Sequence, residues 1–362
     1  MLHDYDKKFQ FLSLVIVFVL LMSSASAWAM AGKQRNVTVS SPSEFIESLG
    51  FSKGICTVLG GQDKDLILDI TKSSEFLIHV IDPSPSTAAE LRRALQSEGV
   101  NIKRVIVEAA SIDGLPYAGN MIDAVISMSV DDKAMRAEVM RVLRPGGMAL
   151  LDVSNASADL TPFTKPATPG ADEWTHWNYG PDNNPLSKDS VIKAPYMTQW
   201  MDGPYFIAMP AVTTIAGGKT FTAMGHIAHH KREEPWLYTL LARNAYNGSQ
   251  LWRRKLPEGY MVHRSAFIAT SDVFYMIDGD RALMLNPETG QDMGELRIPK
   301  ISGAWKWMAM QDGILYVLAG ENPDVAETKL ARHFKTHWSW GKLSKGYYGE
   351  RVPWGFGQTI TA

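Results

Sequence analysis

Histidine pairs are the side chains in this sequence whose spacing could support metal binding. His226 lies three and four residues before His229 and His230, and His333 lies four residues before His337. On a helix, such spacing places side chains on one face, where imidazole nitrogens could bind a metal ion. The first three histidines occupy a polar stretch that is typical of a solvated loop. The sequence therefore predicts no metal site.

Adjacent carboxylates and a single thiol are the other reactive groups. Asp131 and Asp132 precede a helix pattern, and the helix dipole favours acidic residues there for structural reasons. Cys56 lies in an apolar run, so we expect a small buried side chain rather than a reactive thiol. One cysteine also excludes an internal disulfide framework and a multi-cysteine metal site. These patterns identify no catalytic residue.

Length and charge limit the architecture. The chain has 362 residues and a formal net charge of −2. This length predicts two folded units, and the charge gives no reason to expect a nucleic-acid partner. A proline-rich polar stretch at residues 155–171 is typical of a linker. We therefore predict one domain at residues 50–154 and a second at residues 172–362.

The N-terminus has the pattern of an export signal. Lys7 and Lys8 precede an apolar run at residues 11–22, and small residues follow at 23–27. Twelve helical residues rise about 18 Å, which is short of the ~30 Å bilayer core. We predict a signal peptide at residues 1–29 and a periplasmic or secreted protein. The alternative is an uncleaved membrane anchor, and only then is a membrane a partner.

The first half alternates strand and helix patterns. Strands are expected at residues 55–59, 76–81, 105–107, 124–128 and 148–151, and helices at residues 65–72, 87–98 and 133–142. Continuous apolar strands that alternate with helices indicate a parallel sheet covered on both faces. Such sheets bind ligands at the carboxyl ends of their strands. Gly60 and Gly61 follow the first predicted strand, and Asp82 follows the second.

Two segments of this half resemble the class I, S-adenosylmethionine-dependent methyltransferases of the type 11 group. Residues 115–118 (L-P-Y-A) and 122–125 (I-D-A-V) are similar to the family's passage into the fourth strand. Residues 141–147 (R-V-L-R-P-G-G) are similar to its turn before the fifth strand, where proline ends the helix and the glycines permit a tight return. The resemblance covers about residues 50–152. It implies a Rossmann-like α/β fold and S-adenosylmethionine as cofactor.

The resemblance also implies a set of cofactor-binding positions. These are Gly60, Gly61, Asp82, Pro83, Ser111, Ile112 and Met128. Asp82 stands where the family's acid binds the ribose hydroxyls, and residues 111–112 stand where a pair addresses the adenine. A structural alternative is that Asp82 caps the turn into Pro83 and the following helix.

The glycine loop departs from the family pattern. In the family, glycines let the backbone approach the bound cofactor closely. Here Gln62 and Lys64 occupy the second and third glycine positions, and Val58 replaces an acid. Export would also separate the domain from the cytoplasm, where the methyl donor is made. We therefore expect a domain that has kept the fold and lost the chemistry.

The second half contains an internal repeat with a period of 42 residues. The aligned pairs are Asn244 with Asn286, Gly248 with Gly290, and Pro257 with Pro299. A second correspondence pairs residues 272–277 with residues 312–318. Short strands in units of 40 to 45 residues are typical of β-propeller blades.

These units resemble the pyrroloquinoline-quinone-type (PQQ-like) β-propeller repeats, over about residues 172–362. The matching segments are residues 241–257, with N-x-x-x-G-x-x-L-W-R-R, and residues 283–299, with N-P-E-T-G. The resemblance implies that the turn, the glycine and Trp252 dock one blade onto the next. Met293 and Gly294 stand near the tryptophan position of the second unit, so its docking is expected to be imperfect. Residues 172–177 resemble a lead-in to such propellers in envelope proteins.

The expected fold class is multidomain, with a Rossmann-like domain followed by an all-β propeller. About four blades fit the length, and no closing strand is evident before Ala362, so we expect a fragment or a ring completed by a partner. The leading hypothesis is an envelope scaffold that binds an unidentified protein or small molecule. The alternatives are an active methyltransferase, or a quinone-dependent dehydrogenase. No residue set for a quinone and its ion is recognisable, so PQQ is not an expected cofactor. Whether the protein is an enzyme stays open.

Overall fold

The computed structural model describes most of both predicted domains. The described residues are 41–128, 132–153, 162–204, 208–260, 262, 265–299 and 303–320, with the strands at 331–332 and 359–361. The predicted signal peptide, Asp131, His333 and His337 lie outside the described residues. Among the described helices, none combines the length and apolar character that crossing a bilayer requires.

A six-stranded sheet and four helices form the first domain. The helices are α1 Pro42–Ser48, α2 Lys64–Ser73, α3 Pro85–Ser97 and α4 Lys133–Val142. The strands are β1 Ile55–Leu59, β2 Leu77–Asp82, β3 Val105–Ala109, β4 Ile122–Ser127, β5 Leu143–Leu150 and β6 Phe163–Thr164. The strand order is β3-β2-β1-β4-β5-β6. The first five strands are parallel and β6 is antiparallel, which confirms the predicted parallel sheet.

Side-chain caps explain where the helices begin. The N-cap residues are Ser41, Asp63, Ser84 and Asp132, and each side chain accepts the backbone N–H three residues later. These residue types satisfy amide groups that have no partner within the helix. Asp132 therefore has the structural role that the sequence indicated. Gly99 follows α3 with a φ of +73°, in agreement with the predicted helix end.

Apolar side chains at alternating strand positions pack on opposite faces of the sheet. Val58 and Val80 belong to the core beneath α1, α2 and α3, whereas Leu59 and Ile81 belong to the core beneath α4. Both faces are thus covered by helices, as predicted. Cys56 is fully buried, and burial raises the pKa of its thiol to about 12. The interpretation of Cys56 as an inert core residue is confirmed.

The segment R-V-L-R-P-G-G differs from its prediction. Residues 143–147 form the start of β5 instead of a turn before it. Leu143 pairs with Ile122 and Met148 pairs with Ala124, so β5 bulges opposite Asp123. Helix α4 ends at Val142, directly before this bulge. Proline and glycine are tolerated here because a bulge leaves backbone groups outside the regular ladder.

Part of the segment predicted as a linker pairs with the first sheet. Phe163–Thr164, which we placed in the linker, pair as β6 with Met148 and Ala149 of β5. The Nζ of Lys165 also donates to the carbonyl of Met140, 2.6 Å away. This segment is therefore held to the first domain by strand pairing, a long-range contact that composition does not reveal.

The second half folds into small antiparallel sheets. The strands are β7 Met209–Ala216, β8 Lys219–Ala228, β9 Thr239–Asn244, β10 Gln250–Lys255, β11 Phe267–Ala269, β12 Phe274–Asp278, β13 Arg281–Leu285, β14 Asp292–Arg297, β15 Ala304–Gln311, β16 Ile314–Gly320, β17 Ala331–Arg332 and β18 Thr359–Thr361. Sheet 1 contains β7 to β10 with β17 beside β8, sheet 2 contains β11 to β14, and sheet 3 contains β15, β16 and β18. The described residues form separate sheets and do not close into a propeller ring.

The 42-residue repeat corresponds to equivalent turns in sheets 1 and 2. Asn244 and Gly248 connect β9 to β10, and Asn286 and Gly290 connect β13 to β14. In each turn the glycine N–H donates to the asparagine carbonyl, over 3.0 Å and 2.8 Å. Both glycines have a φ near +70°, a conformation that other residues rarely adopt. The 42-residue sequence repeat therefore corresponds to two turns with the same conformation.

Trp252 joins sheet 1 to sheet 2. Its ring lies against Gly290, and its Nε1 donates to the carbonyl of Pro287 over 2.9 Å. Only 7% of the residue is exposed, which supports the predicted structural role. Gly294 stands 42 residues later with open space around it, and Met293 is exposed. One apolar core nevertheless extends from β7 to β16 through all three sheets.

Candidate functional site

The carboxyl edge of the parallel sheet brings the predicted cofactor positions together. The N–H of Gly60 donates to the carbonyl of Ile81 over 2.8 Å, and the N–H of Met128 donates to the carbonyl of Leu59 over 2.8 Å. Gly60, Gly61, Asp82 and Met128 are therefore neighbours. This follows because β1, β2 and β4 are adjacent parallel strands that end at the same edge.

Asp82 uses both carboxylate oxygens to hold the surrounding backbone. Its Oδ2 accepts the N–H of Gly61 over 2.6 Å, and its Oδ1 accepts the N–H of Ser84 over 2.8 Å. The residue is 1% exposed. Carboxylate hydrogen bonds to backbone N–H groups of this length are strong and fix both turns. Asp82 thus bonds the turn into Pro83, as the structural alternative in the sequence analysis predicted. The residue that caps α3 is Ser84.

Side chains occupy the space beside Gly60. A Cβ atom placed on Gly60 would lie 2.9 Å from Oε1 of Gln62 and 2.9 Å from Cβ of Met128. Gln62 therefore folds back over the glycine that the family pattern leaves open. The φ of Gly60 is +102°, which explains why glycine is kept at this position.

The other predicted cofactor positions are more peripheral. Pro83 and Ser111 are exposed, and the Oγ of Ser111 accepts the N–H of Asp113 over 3.1 Å. Ile112 is half-buried and packs against the apolar core beneath α4. Residues 111–112 follow Ala110, whose N–H donates to the carbonyl of Asp82 over 3.1 Å. They therefore lie at the same edge, with Ile112 engaged in core packing.

A polar network crosses the middle of the sheet, and the sequence analysis missed it. Thr57 donates to the hydroxyl of Tyr117 over 3.0 Å, and this hydroxyl lies 2.7 Å from Nδ1 of His79. The Nε2 of His79 lies 3.1 Å from a carboxylate oxygen of Glu108. Burial lowers the pKa of His79, against the opposing effect of Glu108, and burial also raises the pKa of Tyr117. Both groups are therefore neutral at pH 7.

Only one signal in the sequence pointed to this network. Tyr117 stands at the third position of the L-P-Y-A segment, where the resembling family has phenylalanine. A tyrosine hydroxyl that becomes buried needs a hydrogen-bond partner. The partner, His79, is 38 residues away along the chain and could be found only from the strand order.

The amino edge of the sheet is the contact surface between the two halves. Asp123, at the start of β4, is fully buried and accepts the N–H of Ile55 over 2.8 Å. The amide groups of Asn244 and Asn247 each donate to it over 2.7 Å. The Nε of Arg144 lies 2.5 Å from the same carboxylate. Asp123 thus bonds to both domains, and the repeat asparagine Asn244 has a second role there.

A narrow crevice borders this contact. Its volume is about 10 Å³, which is space for about one water molecule. Lys53 and Lys219 line it, and both are paired, with Glu75 at 3.3 Å and with Glu288 at 2.7 Å. The crevice is therefore too small and too well compensated in charge to be a ligand site.

The histidine prediction needs a correction. His226 is not in a solvated loop: it lies in β8 and is only 2% exposed, with its ring stacked on Tyr238 at a centroid distance of 6.4 Å. The polar residues after it form a separate short helix, Lys231–Trp236, which the composition had merged with the strand. In the part of the chain that the structure describes, no group of three potential ligands is placed to hold a metal ion.

Comparison with known proteins identifies the first domain. Residues 65–147 match the sequence model of a methyltransferase domain family. No curated protein matches the sequence. The family match lies entirely within the first half of the chain, before the antiparallel sheets.

Several solved structures are similar to part of this chain. One is a putative S-adenosyl-L-methionine-dependent methyltransferase from Methanococcus maripaludis, with 21% identity, a TM-score of 0.29, and coverage of 31% of this chain and 54% of the other. Another is a putative sarcosine dimethylglycine methyltransferase from Galdieria sulphuraria, with 17% identity, a TM-score of 0.28, and coverage of 30% and 44%.

A geranyl diphosphate methyltransferase in complex with S-adenosylmethionine has 21% identity and a TM-score of 0.28, and the match covers 31% of this chain and 48% of that protein. This chain therefore spans about half the length of these relatives. At these identities the likeness concerns the fold alone, so the assignment rests on the family match. Residues 65–147 of this protein are therefore similar to a methyltransferase domain family and belong to a Rossmann-like α/β domain.

Proposed function

We propose that the methyltransferase-like domain is a non-catalytic part of a binding scaffold. The observation that carries this proposal is the closed state of the carboxyl edge. Gln62 and Met128 crowd Gly60, and both oxygens of Asp82 are bonded to the protein's own backbone. A cofactor at this edge would have to move Gln62 aside and share Asp82 with two backbone N–H groups, and we expect this to lower its affinity.

The test is titration of the purified protein with S-adenosylmethionine by calorimetry. We expect a Kd no tighter than about 1 mM, roughly −4 kcal/mol. Gln62→Gly removes the side chain over Gly60 and should tighten binding if crowding is the cause. Lys64→Gly is the matched control at the other replaced glycine, because Lys64 is paired with Glu98 away from Gly60.

An active methyltransferase is the second candidate, because Gly60, Gly61, Asp82 and Met128 do meet at one edge. Micromolar binding by the unmodified protein, abolished by Asp82→Ala, would support this candidate and contradict the scaffold proposal. Micromolar binding that Asp82→Ala leaves unchanged would place the ligand elsewhere on the protein.

The second half supplies the binding surface in this proposal, as blades of a PQQ-like propeller. Support comes from the shared turn geometry and from Trp252, which joins sheets 1 and 2. Trp252→Ala should lower the free energy of unfolding by about 3 to 5 kcal/mol, because a cavity remains. Met293→Ala is the matched control near the aligned position, which is exposed, and should change it by less than about 0.5 kcal/mol.

Exposed apolar side chains mark a contact surface for the unidentified partner. They are Leu186, Ile192, Tyr196, Met197 and Met201, in the part of the second predicted domain that precedes β7. Large apolar side chains that stay exposed along one segment favour an interaction site. Replacing Tyr196 and Met197 with serine should lower the fluorescence of a bound apolar dye without changing the melting temperature. Unchanged dye binding would contradict this assignment.

We also propose export, based on the N-terminal sequence. Mature protein isolated from an envelope fraction should begin near Trp28 or Met30. An intact chain in the cytosol would contradict export and remove one argument against methyl transfer, without affecting the calorimetric test.

A further inference from the structure

A strap of four residues, 173–176, contacts one edge strand of each of the three sheets in the second half. β7, β11 and β15 are the edge strands of sheets 1, 2 and 3. Edge strands present backbone groups on their open side. The strap bonds to each of these strands in turn, close to the strand's carboxyl end.

Sheets 1 and 2 are held mainly by backbone groups, which do not titrate. Trp174 exchanges two backbone hydrogen bonds with Ile215 of β7, over 2.9 Å and 2.6 Å. The carbonyl of Thr175 accepts the N–H of Ala269 of β11 over 2.9 Å. The carboxylate of Glu173 also accepts the N–H of Gly217, over 2.7 Å.

Sheet 3 is held by a histidine side chain. The N–H of Met310, in β15, donates to Nε2 of His176 over 3.1 Å. A backbone N–H can only donate, so this nitrogen carries no proton. The other ring nitrogen, Nδ1, lies 2.7 Å from the hydroxyl of Thr175 and holds the proton. Protonation of Nε2 would place two donors face to face and break the contact with Met310.

The surroundings of His176 favour its neutral form. The residue is 5% exposed, and burial lowers the pKa of its imidazole to about 4, while the charge of Asp182 acts in the opposite direction. β7 and β11 carry no titratable residue, and β15 carries only Lys306, four positions before Met310. On the strap itself, Glu173 is bonded to Gly217.

We propose that residues 173–176 form a pH-sensitive clamp, in which neutral His176 holds the carboxyl end of β15 to sheets 1 and 2 and protonated His176 releases it. The release is local, because Trp305 and Met308 keep β15 bonded to the carbonyls of Gly279 and Ser265. The clamp goes beyond the scaffold proposal and does not depend on S-adenosylmethionine binding.

The test is amide hydrogen exchange of the full-length protein between pH 7 and pH 4.5, with each rate corrected for intrinsic exchange. If opening exposes His176 to its ordinary pKa of about 6.5, the protection of the Met310 amide should fall about tenfold per pH unit below that value. His176→Gln keeps an acceptor near the Nε2 position but does not titrate, so its Met310 amide should show no such slope.

The Ala269 amide is the matched reference, since it bonds to the same strap through the carbonyl of Thr175. Its protection should fall less than that of Met310. A flat Met310 profile in the unmodified protein, the same slope in His176→Gln, or equal losses at Ala269 and Met310 would each overturn the clamp. If His176→Gln does not fold, nitrogen-15 shifts of the unmodified His176 decide: a proton on Nε2 at pH 7 contradicts the proposal.

Discussion

The two edges of the α/β sheet each contain a buried aspartate, and the two residues serve different purposes. Among the described residues, Asp82, at the carboxyl edge, accepts hydrogen bonds from nearby backbone groups, at Gly61 and Ser84. Asp123, at the amino edge, bonds to Arg144 and to two asparagines of the second domain. At the edge where this kind of fold commonly binds ligands, the hydrogen bonds of Asp82 to Gly61 and Ser84 are made within the chain.

The comparison shows where this protein uses its polar groups. A buried carboxylate is retained only if hydrogen bonds and charges compensate its loss of water. At the carboxyl edge the compensation is local and stabilises two turns. At the amino edge it comes from residues more than 120 positions later in the chain, so it links the folding of the two halves.

The largest expected effect is that of Asp123→Ala. The substitution leaves Arg144, whose side chain is only 12% exposed, without its partner, and it removes the acceptor of two amides. We expect a loss of about 3 to 5 kcal/mol in the free energy of unfolding. Calorimetry should also separate one transition into two. Asp280→Ala, in an exposed pair with Arg297, is the control and should change stability by less than about 1 kcal/mol. Equal losses of stability in Asp123→Ala and Asp280→Ala would show that Asp123 does not link the two domains.

Acid destabilisation through His176 is the next largest effect. Its folded pKa of about 4 lies below the ordinary 6.5, so the unfolded state binds more protons between these values. The stabilisation is therefore complete above pH 6.5 and is lost as the pH falls to about 4, by about 3 kcal/mol in total.

The same pH series sharpens the comparison of the edges. In the unmodified protein the acid effect should shift unfolding of both domains together. In Asp123→Ala, lowering the pH should shift the unfolding transition of the second domain alone. Fluorescence, dominated by tryptophans of the second half, and hydrogen exchange in the first half can follow the two separately. The difference in unfolding free energy between the unmodified protein and His176→Gln should change between pH 6.5 and pH 4. A difference that stays constant would contradict the assignment of the acid effect to His176.

The smallest expected effect is that of Asp82→Ala. Two backbone N–H groups lose their acceptor, and a buried charge is removed at the same time, so we expect a loss of about 2 kcal/mol. Because the contacts are local, the transition should stay single. If Asp82→Ala also split the unfolding transition in two, Asp82 would link the two domains as Asp123 does, and the two edges would not differ in this respect. Denaturant unfolding followed by two probes measures both quantities.

Much of the architecture could be predicted because it depends on local patterns. The apolar runs at β1, β2 and β4, the helix caps and the glycine that ends α3 act within a few residues. The 42-residue repeat predicted equivalent turns, because Asn244 and Asn286 each fix their own turn. The edge at which Gly60, Asp82 and Met128 meet followed from the rule for parallel strands.

What the sequence by itself determined is most of the helices and strands of the first domain, the parallel pairing of its strands and the residues at its carboxyl edge. Only the tertiary structure decided how those residues are used: that Gln62 covers Gly60, that Asp123 binds Asn244 and Asn247, and that β5 begins inside R-V-L-R-P-G-G. The physical reason is the separation along the chain between the residues that interact. Caps, turns and periodicity involve neighbours in the chain, whereas a buried carboxylate or imidazole takes whichever partner the packing of distant strands brings within 3 Å.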